Sequence, residues 1–449
     1  MILQIDLLSL KCLQSLISNV LIFKVVELVQ STIIFVESKF TMFPKVQSTE
    51  IMDIAVLCTL ENIVNLDSTN IRQLCCSMTM LLFTRIVIKI RNRMKNDALI
   101  LTQGMFDTEN GKTAHGLVRG SDRFTIVGVI DYATAGRDAG EVLDGKYRNI
   151  PIFESIEAAV SVLKIPPPYL IVGVAVAGGR LPVEMLDVLK KGIAAKMNII
   201  NGLHEFLNDK PEFVELAKQH GVELTDVRRA KKATQMQYWS GAITDIKTPR
   251  IAILGMDCAV GKRTTSRFLV EACRERGLKA EMISTGQTGW MQDGRFGFIL
   301  DSTLNDFVTG ELETQIIRCC EEAAPDVVFL NGQSALRNPI GPCGSELLLS
   351  GQAKWTVLQA MPSRQYYEGT EDNLKAEIPS IKSEIALIKM YGSETIAVTL
   401  NTHGMTSKEA RKMAQKLRKS LGVPVVLPLE DGVGEIVEVI KYRILGTGK

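Results

Sequence analysis

Ile251-Ala252-Ile253-Leu254-Gly255-Met256-Asp257-Cys258-Ala259-Val260-Gly261-Lys262-Arg263-Thr264-Thr265 runs from four apolar residues through a turn of small residues to Gly-Lys and hydroxyls. Ser266 to Arg276 then reads as a helix stopped by Gly277. Strand, glycine turn and helix start converge free backbone N–H groups and the positive end of the helix dipole on one point, a seat for an anion. Lys262 adds a mobile positive charge, and Thr264 or Thr265 a hydroxyl that can reach a phosphate or magnesium. Gly255, Cys258, Gly261, Lys262, Arg263, Thr264 and Thr265 are therefore the cofactor-binding candidates. A glycine-rich turn that binds nothing is the competing reading, and it leaves the lysine without a purpose.

The spacing, Gly-x5-Gly-Lys, is one residue longer than the commonest P-loop, and Arg263 separates the lysine from the hydroxyls. In this it resembles the longer loops of the dethiobiotin-synthetase and cobyrinate-amidase branch of P-loop proteins. Downstream, strands are expected at Ala280–Ser284, Asp326–Leu330, Thr395–Leu400 and Val423–Pro428, with a helix from Ser407 to Leu421. Gly286-Gln287-Thr288-Gly289-Trp290 follows the first of these strands, where a ligand rim is expected. Asp301 is placed to cap a helix or, with Thr264, to hold magnesium. Asn331-Gly332-Gln333-Ser334 ends the next strand beside the P-loop. Asn401 ends another, where a purine-reading side chain or a plain turn residue fits.

Residues 94–247 alternate continuous apolar strands (Ala98–Thr102, Thr125–Ile130, Tyr169–Val176, Met197–Asn201) with amphipathic helices, the pattern of a parallel sheet covered on both faces. The chain is thus expected to be α/β: a Rossmann-like parallel-sheet domain at 94–247, then a P-loop NTPase-like domain at 248–449. The first turn lacks G-x-G-x-x-G, so ordinary NAD binding has little support. Asp131, at a strand end, could meet a ribose or simply shape its turn. Asp131 to Gly140 followed by Asn149-Ile150-Pro151-Ile152-Phe153 is similar to the CoA-binding domain of succinyl-CoA-synthetase-type enzymes. There Gly136 would let the backbone approach an anion and Arg137 would offer a charged fork; a flexible surface loop is the alternative. His204 follows a strand's carboxyl end and could act as a base. Arg228-Arg229 and Lys231-Lys232 read as a solvated basic face.

With 449 residues there is room for more than one core, and a net charge of +2 gives no sign of a nucleic-acid or membrane-surface partner. Nine cysteines at irregular spacing suggest neither a disulfide framework nor a zinc site, and a reducing cytoplasm is the expected setting. The four histidines form no H-x-x-H pattern. Residues 1–93 are rich in Leu, Ile and Val and read as a poorly ordered or accessory extension. Their run Leu16 to Val36 is apolar, but Lys24 and Glu27 interrupt it, which disfavours a membrane helix.

Taken with Gly286-Gln287-Thr288-Gly289-Trp290 and Gly332-Gln333-Ser334-Ala335-Leu336, the P-loop stretch makes the chain resemble a family long known only as a domain of unknown function. That family includes a bacterial D-glutamate N-acetyltransferase, and the resemblance covers about Met94 to Ile444. It implies transfer of an acetyl group from acetyl-CoA to the amine of a small acidic amino acid. Many members carry glutamate where this chain has Asn331, which can neither act as a base nor give magnesium a charged ligand. Asp257, Asp301 and His204 are the candidate bases. Gln333, Ser334, Arg337 and Arg364 are the substrate-binding candidates, the arginines because a guanidinium fork matches a carboxylate. An ATP- and magnesium-dependent ligase of the dethiobiotin-synthetase type and a non-catalytic nucleotide- or CoA-binding protein stay open beside it. So do the oligomeric state, homo-oligomers included, and the handedness of the acceptor.

Overall fold

A computed structural model describes residues 96–292 and 295–446. The apolar run Leu16 to Val36 and the expected start at Met94 lie outside them. The first sheet holds β1 (Asp97–Leu101), β2 (Thr125–Ile130), β3 (Ile152–Phe153), β4 (Tyr169–Val172), β5 (Asn198–Asn201) and β6 (Leu224–Asp226). Their spatial order is β3-β2-β1-β4-β5-β6, and every pairing is parallel. This order reverses direction between β1 and β4, the switch point where open α/β sheets leave a crevice for ligands.

The second sheet holds β7 (Arg250–Gly255), β8 (Ala280–Ile283), β9 (Val327–Asn331), β10 (Trp355–Ala360), β11 (Glu394–Leu400) and β12 (Val425–Val426) in the order β12-β11-β10-β7-β9-β8. It too is parallel throughout. β7 is central and buried along its whole length, as its unbroken apolar run requires. Both sheets are covered on two faces by apolar cores. The protein is therefore α/β, with a Rossmann-like half followed by a P-loop half.

Several helices position the site. α1 (Lys112–Arg119) follows β1 and stops at Gly120, whose φ of 149° no side-chain-bearing residue adopts cheaply. α2 (Lys262–Glu275) leaves the P-loop and begins at Lys262, earlier than the expected Ser266, because Gly261 at φ 110° turns the chain straight into the helix. α3 (Gln287–Gln292) belongs to the P-loop half by sequence but buries Met291 in the apolar core around Ile100, Phe106 and Ala114 of the Rossmann half. Burial of one such side chain stabilises by roughly 1.5–3 kcal/mol.

Polar contacts lock the same seam. Thr113 Oγ1 and Thr288 Oγ1 are 3.0 Å apart, Gln292 donates to the carbonyls of Gly116 and Gly120, and Arg123 stacks on Trp290 at 3.4 Å. A Cβ on Gly116 would come within 2.5 Å of the Arg263 guanidinium, which would have to shift to make room for it. Among the described residues no helix is long and apolar enough to cross a membrane.

Candidate functional site

The P-loop turn is held from below. The buried carboxylate of Asp257 accepts from the Cys258 amide (2.6 Å), Asn338 Nδ2 (3.1 Å), Arg364 Nη1 (2.9 Å) and the Glu368 amide (2.8 Å). Arg364 also donates to the Cys258 carbonyl, and Asn401 Nδ2 to that of Val260. These contacts fix a turn in which Ala259 takes φ 50° and Gly261 φ 110°. A non-glycine residue held in the left-handed region marks a turn shaped by its surroundings, and such positions cluster at ligand sites.

Lys262 is buried and donates to the carbonyls of Asp257 (2.6 Å) and Ser334 (2.8 Å). Burial lowers its pKa. No carboxylate among the described residues forms an ion pair with it; its direct hydrogen bonds go to carbonyls, while nearby Cys258, Asp257, Cys343 and Glu368 oppose the effect of burial. Ser334 is also left-handed at φ 37°, and its Oγ is buried without a hydrogen-bond partner. Thr264, half-buried in the first turn of α2, has no side-chain hydrogen bond among the described residues. An ammonium with no carboxylate in direct contact, beside unspent hydroxyls and a helix start, can hold a phosphate.

Other expectations for this turn need correction. Thr265 Oγ1 is spent on Gln359 Oε1 at 2.6 Å, within the core of the half. Arg263 turns away from the cradle and donates to the Lys112 carbonyl across the seam. Burial, then Arg119 and Arg267, push its pKa down to about 10, so it stays charged at neutral pH. Asp257 has both oxygens committed and is a brace rather than a free base. Arg364 is anchored to Asp257 through Nη1, and Arg337 to the buried carboxylate of Glu384 (2.7 Å) and to Ser383, so both arginines are held by groups of the chain itself. Asp301 is paired with Arg228 at 2.9 Å, and among the described residues no group of three or more His, Cys, Asp or Glu could hold a metal. Asp131 is consumed by its own loop, accepting from Thr102, Gly104, Phe106 and Thr134. Gly136 and Arg137 are exposed and line neither of the cavities described below, and the Gly136 amide is spent on Ile152.

A cavity of about 660 Å³ opens beside the turn, its walls including Cys258, Gln333, Ser334, Asn338 and Asp301. Gln333 donates to the Thr285 carbonyl. The cavity also carries Glu346 and Glu368, both with partners: Glu346 accepts from the Gly344 amide (2.9 Å), and Glu368 lies 3.8 Å from Lys112 Nζ. A second cavity, of about 440 Å³, lies on the Rossmann half and includes Lys112, Gly178, Gly179, His204, Arg228 and Gln287. It collects the loops after β1, β4, β5 and β6, the rim that the switch point predicts. β4 ends at Val172 rather than the expected Val176, and beyond it Ala175 donates to the Asn110 carbonyl.

Asp301, in the wall of the larger cavity, reaches two residues that line the smaller one. Its Oδ2 is 2.9 Å from Arg228 Nη2 and 3.9 Å from His204 Nε2. Arg228 is not on a solvated face: its side chain is 12% exposed and donates to the Gly202 carbonyl and to Gln287 Oε1. His204 is half-exposed, and burial, then Arg228, lower its pKa while Asp301 opposes them. Two of the expected catalytic residues, His204 and Asp301, are thus brought together, and Arg228 and Lys112 join them unforeseen. The one sequence signal for Arg228 was its place just past the carboxyl end of a strand.

Two family models match the chain: a Rossmann-like domain of unknown function (DUF1611_N) over residues 132–230 and a P-loop domain of unknown function (DUF1611_C) over residues 237–437. The chain belongs to the DUF1611 family. A D-glutamate N-acetyltransferase of a Pseudoalteromonas species is 30% identical over 281 residues, 61% of this chain and 81% of the relative. Another of that name, from Tritonibacter scottomollicae, is 27% identical over 279 residues, 60% and 80% respectively. The crystal structure of a DUF1611 family protein from Anabaena variabilis superposes with a TM-score of 0.69 at 28% identity, covering 76% of this chain and 98% of that one.

Proposed function

We propose that the protein transfers the acetyl group of acetyl-CoA to the amine of an acidic amino acid of the D-glutamate kind. The names of the two relatives support an N-acetyltransferase, and the donor set around Lys262 carries the choice of acetyl-CoA. An ammonium whose direct hydrogen bonds go only to carbonyls fits an anion such as a diphosphate. Acidic ligands for magnesium are not part of that set: Arg263 follows the lysine where the commonest P-loop has a hydroxyl, and the β9 terminus offers the neutral amide of Asn331. That combination supports a CoA diphosphate over an ATP–magnesium pair.

Gly261, Lys262, Thr264 and Ser334 would hold the donor, and acetyl-CoA supplies an activated thioester. The remaining work falls to this chain. His204, neutral at physiological pH because burial depresses its pKa, takes the proton of the acceptor ammonium. Asp301, 3.9 Å away, offsets the positive charge that then appears on the imidazole. Asp257 contributes by keeping the P-loop in shape. Cavities of these sizes suit small molecules, and the free thiols among the described residues support a cytoplasmic setting.

The test is to incubate the full chain with acetyl-CoA and pooled D- and L-amino acids and to search for acylated products by mass spectrometry. N-acetylated glutamate or aspartate with release of CoA is expected. Product formed only when ATP and magnesium are added would favour a ligase instead.

A further inference from the structure

The cavity on the Rossmann half has a chemistry of its own. Arg228 and Lys112, the latter 3.8 Å from Glu368, bring two positive charges to one small space, and the imidazole of His204 borders it. Arg228 is held in place by the Gly202 carbonyl and Gln287, yet its buried Nε has no acceptor. The carboxylate that meets its Nη2 comes from Asp301, on a short 3-10 turn between the two cavities. A guanidinium that is pre-positioned, incompletely satisfied and touched by a tethered carboxylate is arranged as a carboxylate receptor.

We propose that this cavity binds a carboxylate of the acceptor amino acid, with Arg228 as its principal partner, Lys112 as a second positive charge, and Asp301 as an internal competitor. The proposal rests on the acetyl-transfer reading for the identity of the acceptor, but not for the receptor itself. An incoming carboxylate takes the Arg228 contact, and Asp301, released from it, faces the acceptor's ammonium. The ammonium is thereby directed toward His204, which borders the same cavity. An amino acid whose carboxylate is replaced by an amide loses the charge that Arg228 recognises.

The probe is glutarate, a dicarboxylate without an amine, titrated by calorimetry into the full chain without acetyl-CoA. Binding to the unaltered protein is expected to weaken about tenfold to a hundredfold in Arg228→Gln, the worth of a charged hydrogen bond, and less in Arg228→Lys. Asp301→Asn keeps the shape of the turn, removes the competitor and should tighten glutarate severalfold. In steady-state assays Arg228→Lys should raise KM for D-glutamate while KM for acetyl-CoA stays near the unaltered value, and its melting temperature reports whether the fold is kept. Failure of glutarate to bind the unaltered protein, or equal affinity in the folded arginine variants, overturns the receptor. If glutarate binds through Arg228 but no acetylated product forms, the receptor stands and the acetyl-transfer reading falls.

Discussion

Arg364 Nη1 lies 2.9 Å from Asp257 Oδ2 beneath the phosphate-binding turn, with the carboxylate fully buried and the arginine side chain 13% exposed. The pair is joined to the turn by the Cys258 amide and carbonyl, so a charge interaction in the interior sets the shape of backbone at the surface. Breaking a buried pair by removing one partner costs more than the intact pair contributes, because the survivor stays desolvated and unpaired.

Asp257→Asn keeps the shape of the side chain and removes its charge. It should lower the unfolding free energy by about 3 kcal/mol, read from the urea midpoint, and weaken acetyl-CoA binding because the turn loses its brace. A variant as stable as the parent would show that Arg364 finds another counter-charge and that the pair is not what shapes the loop.

His204 predicts the pH profile. As a base it must be neutral, and burial holds its pKa below the ordinary value of about 6.5. The acid limb of kcat/KM should therefore fall below about 6.5, with a plateau at neutral pH. His204→Gln should remove that limb and lower kcat by about 10²–10⁴-fold. Survival of the limb in this variant would assign it to another group. The stability linkage has the same sign. The folded pKa values of His204 and of buried His115 are both depressed, so the stability tied to their neutral forms is complete above the unfolded pKa and is lost as pH falls through the folded values.

The central strand and its turn were legible because β7 is apolar throughout and is followed at once by glycine and lysine, a pattern set by neighbours in sequence. β10 was not, because Thr356 and Gln359 interrupt its apolar run. Both are buried only because Ser393, Thr265 and Thr399 satisfy them from far along the chain. The partners of the arginines were hidden for the same reason. Arg364 and Arg337 look free in sequence, while Asp257 and Glu384 wait 107 and 47 residues away. Arg228 looked solvated beside Arg229, yet its partners Gly202, Gln287 and Asp301 all lie on other elements of the chain. The Gly286–Trp290 stretch, expected at a ligand rim, gives Gln287 to a cavity, while the next residue, Met291, sinks into the other half's core. Local pattern reveals elements; a buried charge is decided by whatever the fold brings to it.

The most direct measurement of the central claim, that the cradle around Lys262 holds the phosphorylated donor, is calorimetric titration of acetyl-CoA into the full chain and into Lys262→Ala. Because burial already penalises the lysine's charged form, the variant should melt near the parent temperature without ligand. Saturable binding to the parent, weakened at least about tenfold in the variant, is the predicted result. Equal affinity in the two proteins would contradict the account.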